Sequence, residues 1–176
     1  MILLPQMLFA QEYVAILEFE GSGMSTNDAR NITQTFSYEL SRTNKFKIIE
    51  RQQLDQIIDE QKMQLSGCVA DECAVEVGRL AGARYVIAGT VTKTFGLYGI
   101  AVRLIDVETA EIITHILENG EKDVQVFISQ RVRNAALKMA AEGGSTNQSG
   151  SAGVTVSNEE KGTVKFVLSK ANAAIY

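Results

Sequence analysis

The chain has 176 residues, long enough for one domain with a substantial core and too short to suggest two. At 45% hydrophobic and 22% charged, with a single proline, its composition is ordinary for a soluble globular protein. A net charge of −4 excludes a general electrostatic pull toward nucleic acid or anionic lipid, and the basic residues Arg42, Lys45, Lys47 and Arg51 stand among acidic neighbours as a solvated face.

Met1 to Ala10 is apolar and uncharged, yet too short to span a bilayer, which takes roughly 20 residues. It reads as the end of a secretory signal, with Ala10 as the small residue before cleavage; the alternative is a first strand that begins apolar. Glu12 to Glu20 is the first strand, its central apolar run suited to burial on both faces. Gly21-Ser22-Gly23 turns the chain, and Ser25 with Asp28 has the spacing of a capping box. A helix follows with Ala29, Ile32, Phe36 and Leu40 on one face. Phe46 to Glu50 is a short second strand, and a second helix from Arg51 turns Leu54, Ile57, Ile58 and Leu65 to the core.

From Ser66 to Thr90 the pattern is loop, short helix, glycine stop and buried strand. Asp71 is placed to cap that helix, whose apolar face is Cys73, Ala74, Val77, Leu80 and Ala81, and Gly82 suits a left-handed helix end. A strand over 84–95, a reversal at Gly96 to Gly99, a strand over 100–107, a turn at 108–111 and a strand over 112–117 make an antiparallel meander. A last helix over 123–142 turns Val124, Ile128, Val132, Ala135 and Met139 to one side.

The expected fold is α/β (α+β-like): a mixed β-sheet of about five strands with helices packed on it, in the order β-α-β-α-α-β-β-β-α. The expected domain plan is a signal remnant at 1–10, one domain at 11–142, a flexible linker rich in Gly and Ser at 143–153, and a short extension at 154–176.

Three constellations are candidates for chemistry. Gly21 and Gly23 lie between a strand and a helix, and Glu50 ends the second strand where a ribose-binding acid would stand, which permits a nucleotide- or small-ligand-binding reading. A dinucleotide fingerprint wants a third glycine where Thr26 stands, so a glycine turn before a capped helix is the preferred reading. Cys68 and Cys73 are spaced C-x₄-C without nearby metal ligands, and a disulfide pinning the loop to the helix is expected in an oxidising compartment, with two buried thiols as the alternative. His115 has no acidic or nucleophilic neighbour and reads as a sheet-face residue. No catalytic, cofactor-binding or metal-binding residue is therefore nominated.

Val14 to Phe19, Phe46 to Arg51, Leu54, Ser66 to Cys68, Glu72 and Cys73, Gly82 to Gly89, and Arg103 to Thr109 together resemble the CsgG-type domain, the curli production assembly/transport superfamily. More distantly the chain is similar to the N-terminal module of TolB and to activators of penicillin-binding proteins. The resemblance covers about 13–140. It implies a non-catalytic periplasmic or outer-membrane-associated module working through contacts with envelope proteins, with possible homo-oligomerisation, no nucleic acid, and at most a peripheral membrane contact. One member forms a secretion channel through added membrane-spanning hairpins. The connections here leave no room for barrel strands of about 9–11 residues, and the lipidated cysteine of that member is missing, so a pore is not expected.

Overall fold

In a computed structural model, which describes residues 11–60 and 70–143, the chain forms a six-stranded mixed sheet with helices on both faces. The strands are β1 (Tyr13–Ile16), β2 (Glu20–Ser22), β3 (Lys47–Ile48), β4 (Tyr85–Thr94), β5 (Leu97–Asp106) and β6 (Ile112–Glu121). The helices are α1 (Thr26–Ser41), α2 (Arg51–Glu60), α3 (Asp71–Leu80), α4 (Val124–Val126) and α5 (Arg133–Glu142), with a π-helical stretch, Phe127–Val132, joining the last two. The sheet runs β3-β1-β4-β5-β6, with β2 a short continuation of the first strand along β4. β1 lies parallel to both β3 and β4, whereas β4, β5 and β6 form the expected antiparallel meander. The mixed α/β fold read from the sequence is the fold observed, with one short strand more than expected.

Two apolar layers hold the sheet, and the strand period decides which residue enters which. Tyr85, Ile87 and Val91 of β4 face α1 and α5 together with Ile32, Phe36, Leu40, Leu104 and Met139. Val86 and Ala88 point the opposite way, toward Leu54 and Ile58 of α2 and Ala74 and Val77 of α3. β1, flanked by strands on both sides, buries Val14, Ala15 and Ile16, as its unbroken apolar run requires.

Four local expectations need correction. The meander's first reversal is not at Gly96 to Gly99 but a two-residue turn of Phe95 (φ 52°) and Gly96 (φ 76°), the double left-handed conformation that matches hairpin twist. β6 runs on to Glu121 rather than stopping at Leu117. Ala70, not Asp71, is the N-cap of α3; Asp71 is its first helical residue and pairs instead with Arg103 of β5 at 2.6 Å. Finally, Val132, Ala135 and Met139 of the last helix are buried as expected, but Val124 is exposed, Ile128 only partly buried, and Phe127, off the expected face, is fully buried. The π-helix explains that shift: its i→i+5 spacing sets Phe127 and Val132 above one another, facing the core, where a pure 3.6-residue period puts them out of phase.

The turn from β5 to β6 is held by one carboxylate. Asp106, buried, accepts hydrogen bonds from the backbone N–H groups of Glu108 (2.8 Å) and Thr109 (3.1 Å) and pairs with Arg84 at 2.7 Å.

Candidate functional site

At the carboxyl ends of β1 and β3 the helices α1 and α2 stand apart and leave an open groove of about 1190 Å³. Open α/β sheets place ligands at this end of their parallel strands, because the helices on either side of the outgoing chain cannot close over it. Ile16, Phe19 and Leu54, all buried, form its base with the half-buried Ile48, and Gln34, Ser37 and Tyr38 of α1 supply the polar wall. Tyr38 is 63% exposed on a helix otherwise patterned to bury its apolar residues.

Glu18, just past β1, organises the charges. Its carboxylate accepts from Arg30 of α1 (3.2 Å) and Arg51 of α2 (2.8 Å), bridging the two walls, and Arg51 also pairs with Asp55 at 2.9 Å. Thr33 pins the floor, its hydroxyl donating to the Ala29 carbonyl (2.9 Å) and accepting from the Phe19 N–H (3.0 Å). Glu20, Glu50 and Asp59 also line the groove, all three exposed and without an ion pair among the described residues. Both arginines are taken up by Glu18 and Asp55, so the groove carries an acidic surplus.

The residues singled out for a nucleotide do not make a phosphate cradle. Gly21 and Glu50 both line the groove, but Gly23 does not. A Cβ on Gly23 would fall 2.2 Å from the Lys93 carbonyl oxygen, and its φ is +74°; glycine is required there by the edge of β4. A Cβ on Gly21 would meet Ala29 at 3.0 Å, so that glycine lets the strand approach α1. The N-terminus of α1, where an anion would bind, already holds the Asp28 carboxylate. The Ser25 hydroxyl donates to that carboxylate at 2.7 Å while accepting from the Asp28 N–H at 3.1 Å.

Cys73 sits in the first turn of α3, while Cys68 lies outside the described residues, as does Leu65. The proposed signal remnant, the linker beyond residue 143 and the extension are outside them too. His115 lies exposed on β6, opposite Arg103 of β5. Among the described residues no group of three or more His, Cys, Asp or Glu side chains is placed to hold a metal ion. Beyond the groove, Lys93 packs over Tyr98 near the first hairpin, 4.9 Å from the ring centroid, and the neighbouring Tyr98 hydroxyl raises its pKa above the ordinary lysine value.

Comparison with known proteins bears on the whole domain. A family model, curli production assembly/transport component CsgG, matches residues 10–95, just under half of the chain. A search of curated proteins found no match. Among solved structures, the LpoB C-terminal domain from Salmonella enterica superposes with a TM-score of 0.55 at 20% identity, covering 64% of this chain and 84% of that one. Lipoprotein GNA1162 from Neisseria meningitidis gives 0.56 at 11% identity, covering 76% of this chain and 99% of that one. TolB from Acinetobacter baumannii gives 0.50 at 16% identity, with 76% of this chain matched to 29% of TolB. The resemblance to the CsgG superfamily is thus shown over residues 10–95, on a fold shared with the LpoB C-terminal domain and GNA1162.

Proposed function

We propose that the protein is an exported, non-catalytic assembly or interaction module of the CsgG type, acting in the cell envelope through contacts with other proteins. The observation that carries this reading is the CsgG match over residues 10–95, whose family is described by assembly and transport. The apolar start ending at Ala10 fits export, and the fold relatives include a protein titled a lipoprotein. A domain at 11–142 followed by a linker at 143–153 is the corresponding plan. No described helix is long and apolar enough to cross a membrane. In an oxidising envelope Cys68 and Cys73 form a disulfide that fixes the loop onto α3 and serves structure.

Cell fractionation with sequencing of the mature N-terminus tests the proposal. Recovery with the envelope and a chain beginning near Gln11 is the expected result. Recovery from the cytoplasm with Met1 intact, expressed from the verified full-length gene, contradicts it.

A further inference from the structure

We propose that the groove between α1 and α2 seats a basic, partly apolar segment of a partner protein. The inference rests on the interaction role proposed above and names the chemistry of the partner.

The groove has two properties that a small-molecule site rarely combines. Its volume of about 1190 Å³ exceeds the usual range of compact ligand pockets, roughly 300–1,000 Å³, and it is partly open to solvent. Its floor is the buried Ile16, Phe19 and Leu54, and the half-buried Ile48 is the apolar residue a segment lying along it would touch. Its charge then selects the segment. Glu18 and Asp55 are satisfied by Arg30 and Arg51, and this internal network holds the walls at a fixed separation. Glu20, Glu50 and Asp59 are exposed, with no cation of this chain paired to them among the described residues. They come from three separate elements: β2, the turn before α2, and the last part of α2.

An anionic ligand meets repulsion from that surplus and finds the α1 N-terminus occupied by Asp28. A segment with lysine or arginine among apolar residues gains on both counts. Its aliphatic parts pack against Ile48 and its cations pair with the rim, where charge complementarity adds specificity and speed of encounter. Tyr38 stands exposed at the rim with Arg42 of this chain over one side of its ring, 5.8 Å from the centroid, so only its other side is open to a partner.

The test uses the full chain and a short fluorescein-labelled peptide of alternating arginine and leucine, followed by fluorescence anisotropy. A peptide with glutamate in place of arginine is the control. The arginine peptide is expected to bind in the micromolar range, with affinity falling as salt is raised, and the glutamate peptide to bind far more weakly. The triple variant Glu20→Gln, Glu50→Gln, Asp59→Asn should weaken binding about tenfold. A matched variant with the same change in net charge away from the groove, Glu12→Gln, Glu111→Gln, Glu142→Gln, should leave binding within about twofold. Far-UV circular dichroism establishes that both variants are folded.

Equal weakening by the two triple variants would mean a general attraction to an acidic protein, and overturns the proposal. Absence of binding, or preference for the glutamate peptide, overturns it as well. So does a concentration-dependent dimer competing with the peptide, because a second copy would then be the occupant. None of these outcomes depends on where the protein resides, so failure of the groove proposal and failure of export are read separately.

Discussion

Phe95 adopts a left-handed backbone (φ 52°) with its side chain 99% exposed, so the hairpin tip carries both steric strain and an unburied ring. Such turns favour Asn before Gly, and Phe95→Asn should raise stability by about 1 kcal/mol, read as a shift in the urea midpoint. Gly23 behaves in the opposite sense. Gly23→Ala forces a Cβ toward the Lys93 carbonyl oxygen and should cost about 2–3 kcal/mol in the same assay. Sequence reading found Gly23 but not its reason, because the carbonyl that excludes a side chain belongs to a strand 70 residues further on. Asp71 has the local pattern of a cap and a different role in the fold for the same cause: its partner Arg103 is on β5, and no local pattern announces it. Glu76 illustrates a shift that sequence spacing does announce. The hydrogen bond from Arg79 one turn later, helped by its charge and opposed by slight desolvation, holds the Glu76 carboxyl below its ordinary pKa. A depressed folded-state pKa gives stabilisation that is present above the ordinary carboxyl pKa and is lost as pH falls through the folded value. Arg79→Ala should therefore return the Glu76 titration toward the ordinary range by NMR, with parent and variant converging in stability at low pH.

At the scale of elements, β1 is legible from its unbroken apolar run, though the expected strand over 12–20 divides into β1 and β2, and α1 is legible because it keeps one period over its length. In α1 the predicted face of Ala29, Ile32, Phe36 and Leu40 is the buried face observed. The final helix is legible in extent and in its second half, where Val132, Ala135 and Met139 are buried as expected, but not at Val124 and Phe127, since the π-helical stretch inserts an i→i+5 step that a 3.6-residue template cannot register. Phe127 is the residue this step serves, fully buried and stacked on Tyr98 with ring centroids 5.4 Å apart. Phe127→Ala should cost about 3–5 kcal/mol by denaturant unfolding, more than truncating a typical aliphatic residue such as Ile116 to valine, at about 1 kcal/mol. A small difference between the two variants would mean that the π-helix does not serve to bury the ring.

At the scale of the molecule, the order of strands and helices could be read from the sequence, but the groove could not. Its acids lie at positions 20, 50 and 59 and converge only because β1 and β3 pair in parallel and send α1 and α2 to opposite faces of the sheet. The sequence pattern permits Gly21, Gly23 and Glu50 as a nucleotide site only as the alternative to a glycine turn; folding retains Gly21 and Glu50 in the groove and assigns Gly23 to packing. The proposed Cys68–Cys73 bridge also acts at this scale, since it fixes the helix that feeds β4 into the sheet. Replacing both cysteines by serine should lower stability by about 2 kcal/mol while leaving the far-UV spectrum unchanged. Two thiols titrating in the oxidised native protein would exclude the bridge.

The central claim is that this domain works by seating another protein, and site-directed photo-cross-linking in intact cells tests it most directly. A benzophenone amino acid placed at Tyr38, on the groove wall, should yield a discrete adduct with an envelope protein. That adduct should disappear when Glu20, Glu50 and Asp59 are neutralised, and the same probe at Tyr13, outside the groove lining, should not produce it. Adducts of equal yield from Tyr38 and Tyr13, or an adduct at Tyr38 that survives neutralisation of the three acids, would contradict the account.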